Sequence, residues 1–445
     1  MHNHKKTQKI FCIGIGGIGL SALAQWHHDL GADVSGSNNE SSMITEMLVN
    51  KNIDVVIGQD ISMIPEDADL IIYSKAIPDA DSGFSQEISQ KFKNSAAIQS
   101  YPEALGDVTE KYTTIAVTGT HGKTTTTAML SEILITAQKD PSVIIGSFMK
   151  QLNNSNYRTG SGELLVIEAC EYAESFLNYS PQHIILTNID DDHLDYYGSL
   201  ENIQKAFREF IKKVPNDGVV VTDVTHPKIS PILEDLNCQI IDYTQWMDRV
   251  GLLELPISGE YNIANAAAAY ALAEYLNIAQ KDIEQSLENH QGTWRRFEYM
   301  GEYGEKTPVY TDYAHHPTEL RAFMKAFTEK YSNNVLFIFE PHLHARTREH
   351  FDDFVDIFSQ NDPNIILLPV YAARDAGEST ITRELYEKAK ANRGNTEKIA
   401  HFESFDGVLA HVREQGEDFD AIATVGAGNV HILAQDIVRL SKKSD

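Results

Sequence analysis

An α/β architecture of three successive regions is expected from three patterns in the chain. Short apolar runs alternate with helix-length amphipathic segments, the arrangement of parallel sheets built from βαβ units. Two of those runs end in glycine-rich turns, "GIGGIG" at residues 14–19 and "GTHGKT" at residues 119–124. The length, 445 residues, exceeds what one hydrophobic core organises and points to two to four domains.

In chain order, "KIFCIGIG" reads as the first strand, "IGLSALAQWHHDLG" as the helix it feeds, and "ADVSGS" and "ADLIIYS" as further strands. A polar stretch at 106–112 separates this region from "TTIAVTG", a strand that enters the second glycine turn and then a helix starting near Thr125. "ELLVIEA", "HIILTNI" and "GVVVTD" supply more strands. A third series opens near "RRFEYMGE" and runs through "NVLFIFE", "NIILLPV" and "AIATVGAG" to the closing helix "VHILAQDIVRLSKK". The expected regions are 1–108, 109–294 and 295–445. No internal repeat or low-complexity tract interrupts them.

Composition narrows the function classes. With 42% hydrophobic and 23% charged residues the chain is of ordinary globular make-up. A net charge of -27 argues against a nucleic-acid partner, because phosphate backbones call for an excess of Lys and Arg. An anionic small substrate is compatible with it, since a pocket can be positive on an acidic body. Cys12, Cys170 and Cys238 are widely spaced and form no CxxC pair, so neither a disulfide framework nor a zinc site is indicated. The N-terminal residues lack the long apolar core of a signal segment, and no run of eighteen apolar residues suggests a membrane span. A cytoplasmic enzyme, monomeric or homodimeric, is the expectation.

The first glycine turn lets backbone approach a pyrophosphate seated on a helix N-terminus, or simply makes a tight turn. A dinucleotide site would carry an acidic residue about 20 positions on, for a ribose hydroxyl. Ser37 and Asn38 stand there instead, which weakens an NAD reading and leaves a nucleotide diphosphate. The second turn departs from the usual phosphate loop, because Val117 occupies the position of the first glycine. It keeps what the chemistry needs. Backbone amides of Gly119, Thr120, His121 and Gly122 can surround phosphate oxygens, Lys123 supplies a point charge, and Thr124 or Thr125 a hydroxyl for Mg²⁺.

Carboxylates and imidazoles gather at later strand ends, where ligands of such sheets bind. "LLVIEACEYAESF" brings Glu168 and Glu171, and "IILTNIDDDHLDYYG" brings Asn188, Asp190, Asp191, Asp192, His193 and Asp195. Alone, Glu168 reads as a surface cap at a strand end and His193 as a solvent-facing loop histidine; three strand ends converging on one crevice favour function for both. Asn262 and Asn265 are three apart at a helix start and so share a face; their amides suit recognition of a purine edge, and Asn262 reads alternatively as a helix cap. The third region offers Arg295, Arg296, Asp312, His315, His316, His342, His344, Arg346, Arg348, Arg374 and Asp375. Arginines after strands suit bidentate capture of carboxylate or phosphate.

Taken together, "GIGGIGLSALA", "GTHGKTTTTAM", "TNIDDDHLD", "RRFEYMGE", "DYAHHPTEL", "FEPHLHARTR" and "GAGNV" resemble the Mur ligases over nearly the whole length. The resemblance implies an N-terminal Rossmann-like domain for a UDP substrate, a central P-loop ATPase-type parallel sheet for ATP, and a C-terminal Rossmann-like domain that closes over the site. The histidine in "GTHGKT" is similar to that of the muramate-binding members, and the resemblance as a whole implies UDP-N-acetylmuramate and L-alanine as substrates and an acyl-phosphate route. It implies Gly16, Gly17 and Ile18, with Ser37, at the UDP diphosphate; residues Gly119 to Thr125 with Asn262, Asn265, Arg296 and Asp312 at ATP; and Thr124, Glu168 and His193 at magnesium. Lys123 and His193 would serve the chemistry. His315, His342, Arg346 and Arg374 would face the sugar nucleotide or the amino acid, and His193, His315 or His316 would take the ammonium proton. Departures from the family pattern fall at Asn38, Cys170, Tyr261, Thr311 and Leu343.

A murein peptide recycling ligase shares "GTHGKT" and "HHPT", but "PHLHARTR" looks more like the alanine-adding type. A dehydrogenase would leave "GTHGKT" without a task. A noncatalytic nucleotide-sugar sensor would show no amino-acid-dependent ATP turnover.

Overall fold

The computed structural model describes residues 7–58, 60–77, 82–93, 95–331, 334–360, 363–372, 380–394 and 397–441. One compact unit comprises Met1–Glu254 and Ala264–Gln291, the other Leu255–Ile263 and Gly292–Asp445. The first unit carries two sheets and the second carries one.

The first sheet consists of β1 (Lys9–Ile13), β2 (Asp33–Asn38), β3 (Asp54–Ile57), β4 (Leu70–Tyr73) and β5 (Ala97–Ser100), all parallel in the order β3-β2-β1-β4-β5. Helices cover both faces, so β1 is apolar from Ile10 to Ile13. Its pleat sends Ile10 and Cys12 into one core and Phe11 and Ile13 into another. Strand order reverses between β1 and β4, and "GIGGIG" leaves β1 at that reversal to start the helix Ile18–Asp29. A reversal of this kind opens the crevice in which ligands of doubly wound sheets lie.

The second sheet holds β6 (Thr113–Thr118), β7 (Ser142–Met149), β8 (Ser155–Arg158), β9 (Leu164–Glu168), β10 (His183–Leu186), β11 (Val219–Thr222) and β12 (Gln239–Asp242), ordered β12-β11-β10-β6-β9-β7-β8. Only the edge strand β8 runs antiparallel, against β7. β6 is central, and its chain turns through "GTHGKT" into the helix Lys123–Thr136. That helix is buried on every side from Thr124 to Leu134. The ends of β6, β9 and β10 therefore meet at one crevice.

The third sheet, in the second unit, is built from β13 (Glu298–Tyr303), β14 (Thr307–Asp312), β15 (Val335–Phe339), β16 (Asn364–Leu367), β17 (Ile399–His401) and β18 (Ala421–Val425). Its order is β13-β14-β18-β15-β16-β17, with β13 antiparallel to β14. Val309, Leu336, Ile338 and Ile422 pack on Leu433 and Ile437 of the helix Val430–Ser441. Phe323, Phe327 and Phe337 form an edge-to-face and stacked aromatic group, geometry that adds to simple area burial.

The strands expected from the sequence are present as β1, β2, β4, β6, β9, β10, β11, β15, β16 and β18. β3, β5, β7, β8, β12, β13, β14 and β17 were not expected. Most of these are short and lie toward sheet edges, where one face is exposed and the apolar signal is thin.

Candidate active site

At the first glycine turn, Gly14 and Ile15 donate their amides to the carbonyl of Ser37, at 2.8 and 3.0 Å. Asn38 does not simply vacate the acidic position. Its Oδ1 accepts from the amide of Gly16 at 3.1 Å, and its Nδ2 donates to the carbonyl of Glu40 at 2.8 Å. Gly16, Gly17 and Ile18 thus stand at the helix N-terminus, with the buried Ser37 alongside. An anion there would meet the positive end of the helix dipole.

The second turn is more heavily braced. Gly119 has φ 134° and Gly122, the residue before the helix, φ 81°. A Cβ at either would lie 2.1 Å from Thr187 Oγ1 or 2.3 Å from Asn265 Oδ1, respectively, so only glycine fits both the conformation and the space. Asn188, at the end of β10, clasps the turn: its Oδ1 accepts from His121 N at 2.9 Å and its Nδ2 donates to His121 O at 3.0 Å. Thr120 N donates to Asn188 O at 3.1 Å, and Asp190 N to Thr120 Oγ1 at 2.8 Å. Thr125 is buried in the first helical turn.

Lys123 is held inside its own loop. Nζ donates to Gly119 O at 2.6 Å, Thr120 O at 2.9 Å and Glu171 Oε1 at 3.0 Å. Burial alone would lower its pKa, but the charge and hydrogen bond of Glu171 outweigh this and leave it raised. The side chain is therefore cationic throughout the physiological range. Thr124 Oγ1 donates to Glu168 Oε1 at 2.9 Å, while Glu168 Oε2 accepts from Gly146 N at 2.8 Å. A hydroxyl and a carboxylate in contact at a phosphate loop are hard oxygen donors of the kind that fit Mg²⁺. His193 has left-handed backbone, φ 56°, and its Nε2 stands 4.0 Å from Glu171 and 3.8 Å from Asp192. Its ring packs on Tyr172 with centroids 4.8 Å apart. Expected residues from β6, β9 and β10 are thus gathered around one loop, and Asn265 lies against Gly122. Sequence reasoning named Glu171 without its role; a carboxylate three positions after Glu168 carries no signal that it would grip the lysine.

In the second unit, buried Asp312 at the end of β14 accepts from Phe297 N at 2.7 Å and Ala314 N at 2.8 Å. Burial pushes its pKa up to about 6, against the pull of Arg296. The two adjacent arginines divide their tasks. Arg295, buried beneath the ring of Tyr313, donates to Gly426 O. Arg296 is more exposed and lies 3.6 Å from Glu319, its guanidinium over the same ring. His315 pairs with Glu319 at 3.4 Å, and its ring meets that of His342 at 5.8 Å. His342 in turn stacks on Tyr371 and contacts Arg346 at 3.3 Å. Asp312, Arg296, His315, His342 and Arg346 thus line the carboxyl ends of β14 and β15. His316 is buried against His350, rings 4.6 Å apart. Asn262 is buried and donates to Ser258 O at 2.7 Å. Arg374 and Asp375 lie outside the described residues. Glu340, which sequence reasoning did not single out, sits at the end of β15 and accepts from Val430 N at 3.1 Å. Burial raises its pKa to about 7.

Three family models match the chain: the Mur ligase family catalytic domain over residues 9–113, the Mur ligase middle domain over 117–250, and the Mur ligase glutamate ligase domain over 295–428. The UDP-N-acetylmuramate–L-alanine ligase of Clostridium botulinum (strain Langeland) is 36% identical over 461 residues, spanning 98% of both chains. The enzyme of that name from Caldicellulosiruptor saccharolyticus is 34% identical, over 95% of this chain and 96% of its own. The crystal structure of UDP-N-acetylmuramate–alanine ligase from Thermotoga maritima superposes with a TM-score of 0.80 at 26% identity, over 98% of this chain and all of that one. A murein peptide ligase from Psychrobacter arcticus shares the fold at a TM-score of 0.71 and 20% identity, over 98% of this chain and 99% of its own. Three domain matches in register with three sheets, and a relative over 30% identical along nearly the full length, establish that the chain belongs to the Mur ligase family.

Proposed function

We propose that this protein ligates L-alanine to the muramyl carboxylate of UDP-N-acetylmuramate at the expense of ATP, a step of peptidoglycan precursor synthesis in the cytoplasm. The observation that carries the reading is the pairing of Lys123 with Glu171 beside Thr124 with Glu168 at one glycine-bounded turn. Amides of residues 119–124 and the Lys123 ammonium would bind the β and γ phosphates. Thr124 and Glu168, with His193 from the next strand end, would hold Mg²⁺, which when bound offsets charge on the transferring phosphoryl group. The turn after β1, with Gly16, Gly17, Ile18 and Ser37, would take the UDP diphosphate. Asn262, Asn265, Arg296 and Asp312 would contact the nucleotide, and His315, His342, Arg346 and Arg374 the amino acid or the muramyl group. These tasks follow the expected regions 1–108, 109–294 and 295–445.

In the first step a carboxylate oxygen bonds to the γ phosphorus as the bond to the β–γ bridging oxygen breaks, giving an acyl phosphate and ADP. The alanine nitrogen, having lost its proton, then attacks the acyl carbon, and inorganic phosphate leaves. Carboxylate and triphosphate repel each other, so Lys123 acts by holding positive charge where the transferred group passes. Phosphate release by purified protein with ATP, Mg²⁺ and UDP-N-acetylmuramate tests the reading across amino acids and the murein tripeptide. Release is expected with L-alanine. Release with the tripeptide but not alanine, or release indifferent to any amine, overturns it.

A further inference from the structure

The run Asp190, Asp191, Asp192 poses an electrostatic problem for a loop that would bind a triphosphate. Asp190 is locked to that loop on two sides. Its amide donates to Thr120 Oγ1, and its Oδ2 lies 3.2 Å from His121 Nε2. Lys228, from the segment after β11, reaches this corner. Its Nζ donates to Asp190 Oδ1 at 2.7 Å and to Asp191 Oδ2 at 3.2 Å. The lysine backbone is fixed at both ends of the residue: Gln204 Nε2 donates to its carbonyl at 2.8 Å, and its amide donates to His226 Nδ1 at 3.3 Å. The following residue, Ile229, is fully buried. The ammonium is thus delivered to the carboxylates by an anchored stem.

We infer that Lys228 is a positioning residue for nucleotide binding, neutralising Asp190 and Asp191 and, through Asp190, holding the His121 side of the phosphate loop. The inference rests on the ATP-binding reading of residues 119–124 and names a residue outside the loop on which that reading depends. Without the ammonium, Asp190, which is bonded to the loop, and its neighbour Asp191 lose this counter-charge. Their negative charge would oppose an incoming polyphosphate, and Asp190 would lose one of the contacts that fix it beside His121. Neighbouring charges in a partly buried setting are strong enough to decide affinity.

The test is the dissociation constant of the Mg²⁺ complex of adenylyl imidodiphosphate, measured calorimetrically on the full chain, with UDP-N-acetylmuramate as a second ligand. Lys228→Met should weaken the nucleotide about tenfold, which is about 1.4 kcal/mol, and leave the UDP-sugar affinity unchanged. Lys228→Arg should restore most of the loss. In an Asp190→Asn/Asp191→Asn background, Lys228→Met should weaken binding no more than about twofold, the signature of a coupled pair. Unchanged nucleotide affinity in Lys228→Met, equal weakening of both ligands, or a full tenfold effect in the neutralised background overturns the inference. Failure of the unsubstituted protein to bind the nucleotide would instead overturn the ATP reading itself.

Discussion

Lys123 joins two demands, binding charge and keeping Glu171 paired in a buried site. Lys123→Ala should lower kcat/KM in the phosphate-release assay by roughly 10²–10³-fold, the scale of removing one preorganised charge donor. It should also destabilise the fold by about 3 kcal/mol, because buried Glu171 loses its lysine partner. Adding Glu171→Gln separates the two: denaturant unfolding should recover most of the stability while turnover stays lost. Gly122 makes a companion case. With φ 81° and 2.3 Å of clearance to Asn265 for a new Cβ, Gly122→Ala should lose about 1–2 kcal/mol from the left-handed strain and more wherever Asn265 cannot shift. Nucleotide titration would show whether loop geometry is lost with it.

Between elements, the phosphate-loop helix is tied to the chain after the helix Gln280–Glu288 by a buried pair, His290 Nδ1 and Glu132 Oε2 at 2.7 Å. Breaking one side of such a pair exposes the other to desolvation without compensation, so His290→Ala should cost about 3–5 kcal/mol of unfolding free energy. Glu340 links the end of β15 to the start of the helix Val430–Ser441. Its folded pKa, about 7, lies above the ordinary carboxylate value of 4.5. The stability it contributes is therefore whole below pH 4.5 and lost as the pH rises through 7, up to about 3 kcal/mol. Thermal melts from pH 5 to pH 8 should show a decline that flattens in Glu340→Gln. These two pairs were not legible in the sequence. Glu132 lies in a helix whose neighbours give no hint of a histidine 158 positions on, and Glu340 reads as an ordinary strand-end acid. What was legible were the local rules: glycines where backbone must turn left-handed, and acids immediately after apolar strands.

The chain reads as three sheets because each is mostly parallel and its inner strands carry apolar runs, a signal that survives in sequence. Edge strand β3 is largely exposed, and edge strand β8 is polar in sequence though mostly buried, so both escaped it. The contacts of Lys123 with Gly119 and Thr120 lie within one motif that the sequence displays. The pairing of Lys228 with Asp190 joins separate segments and was not legible, because long-range pairing has no periodicity. Among the described residues no helix is long and apolar enough to cross a membrane.

The proposition on which function depends is that the turn at Lys123 directs the γ-phosphoryl group onto a substrate carboxylate. UDP-N-acetylmuramate labelled with ¹⁸O in that carboxylate, incubated with ATP, Mg²⁺ and L-alanine, tests it in one mass measurement. Each inorganic phosphate released should carry one labelled oxygen. Unlabelled phosphate, or label appearing in AMP, would contradict it.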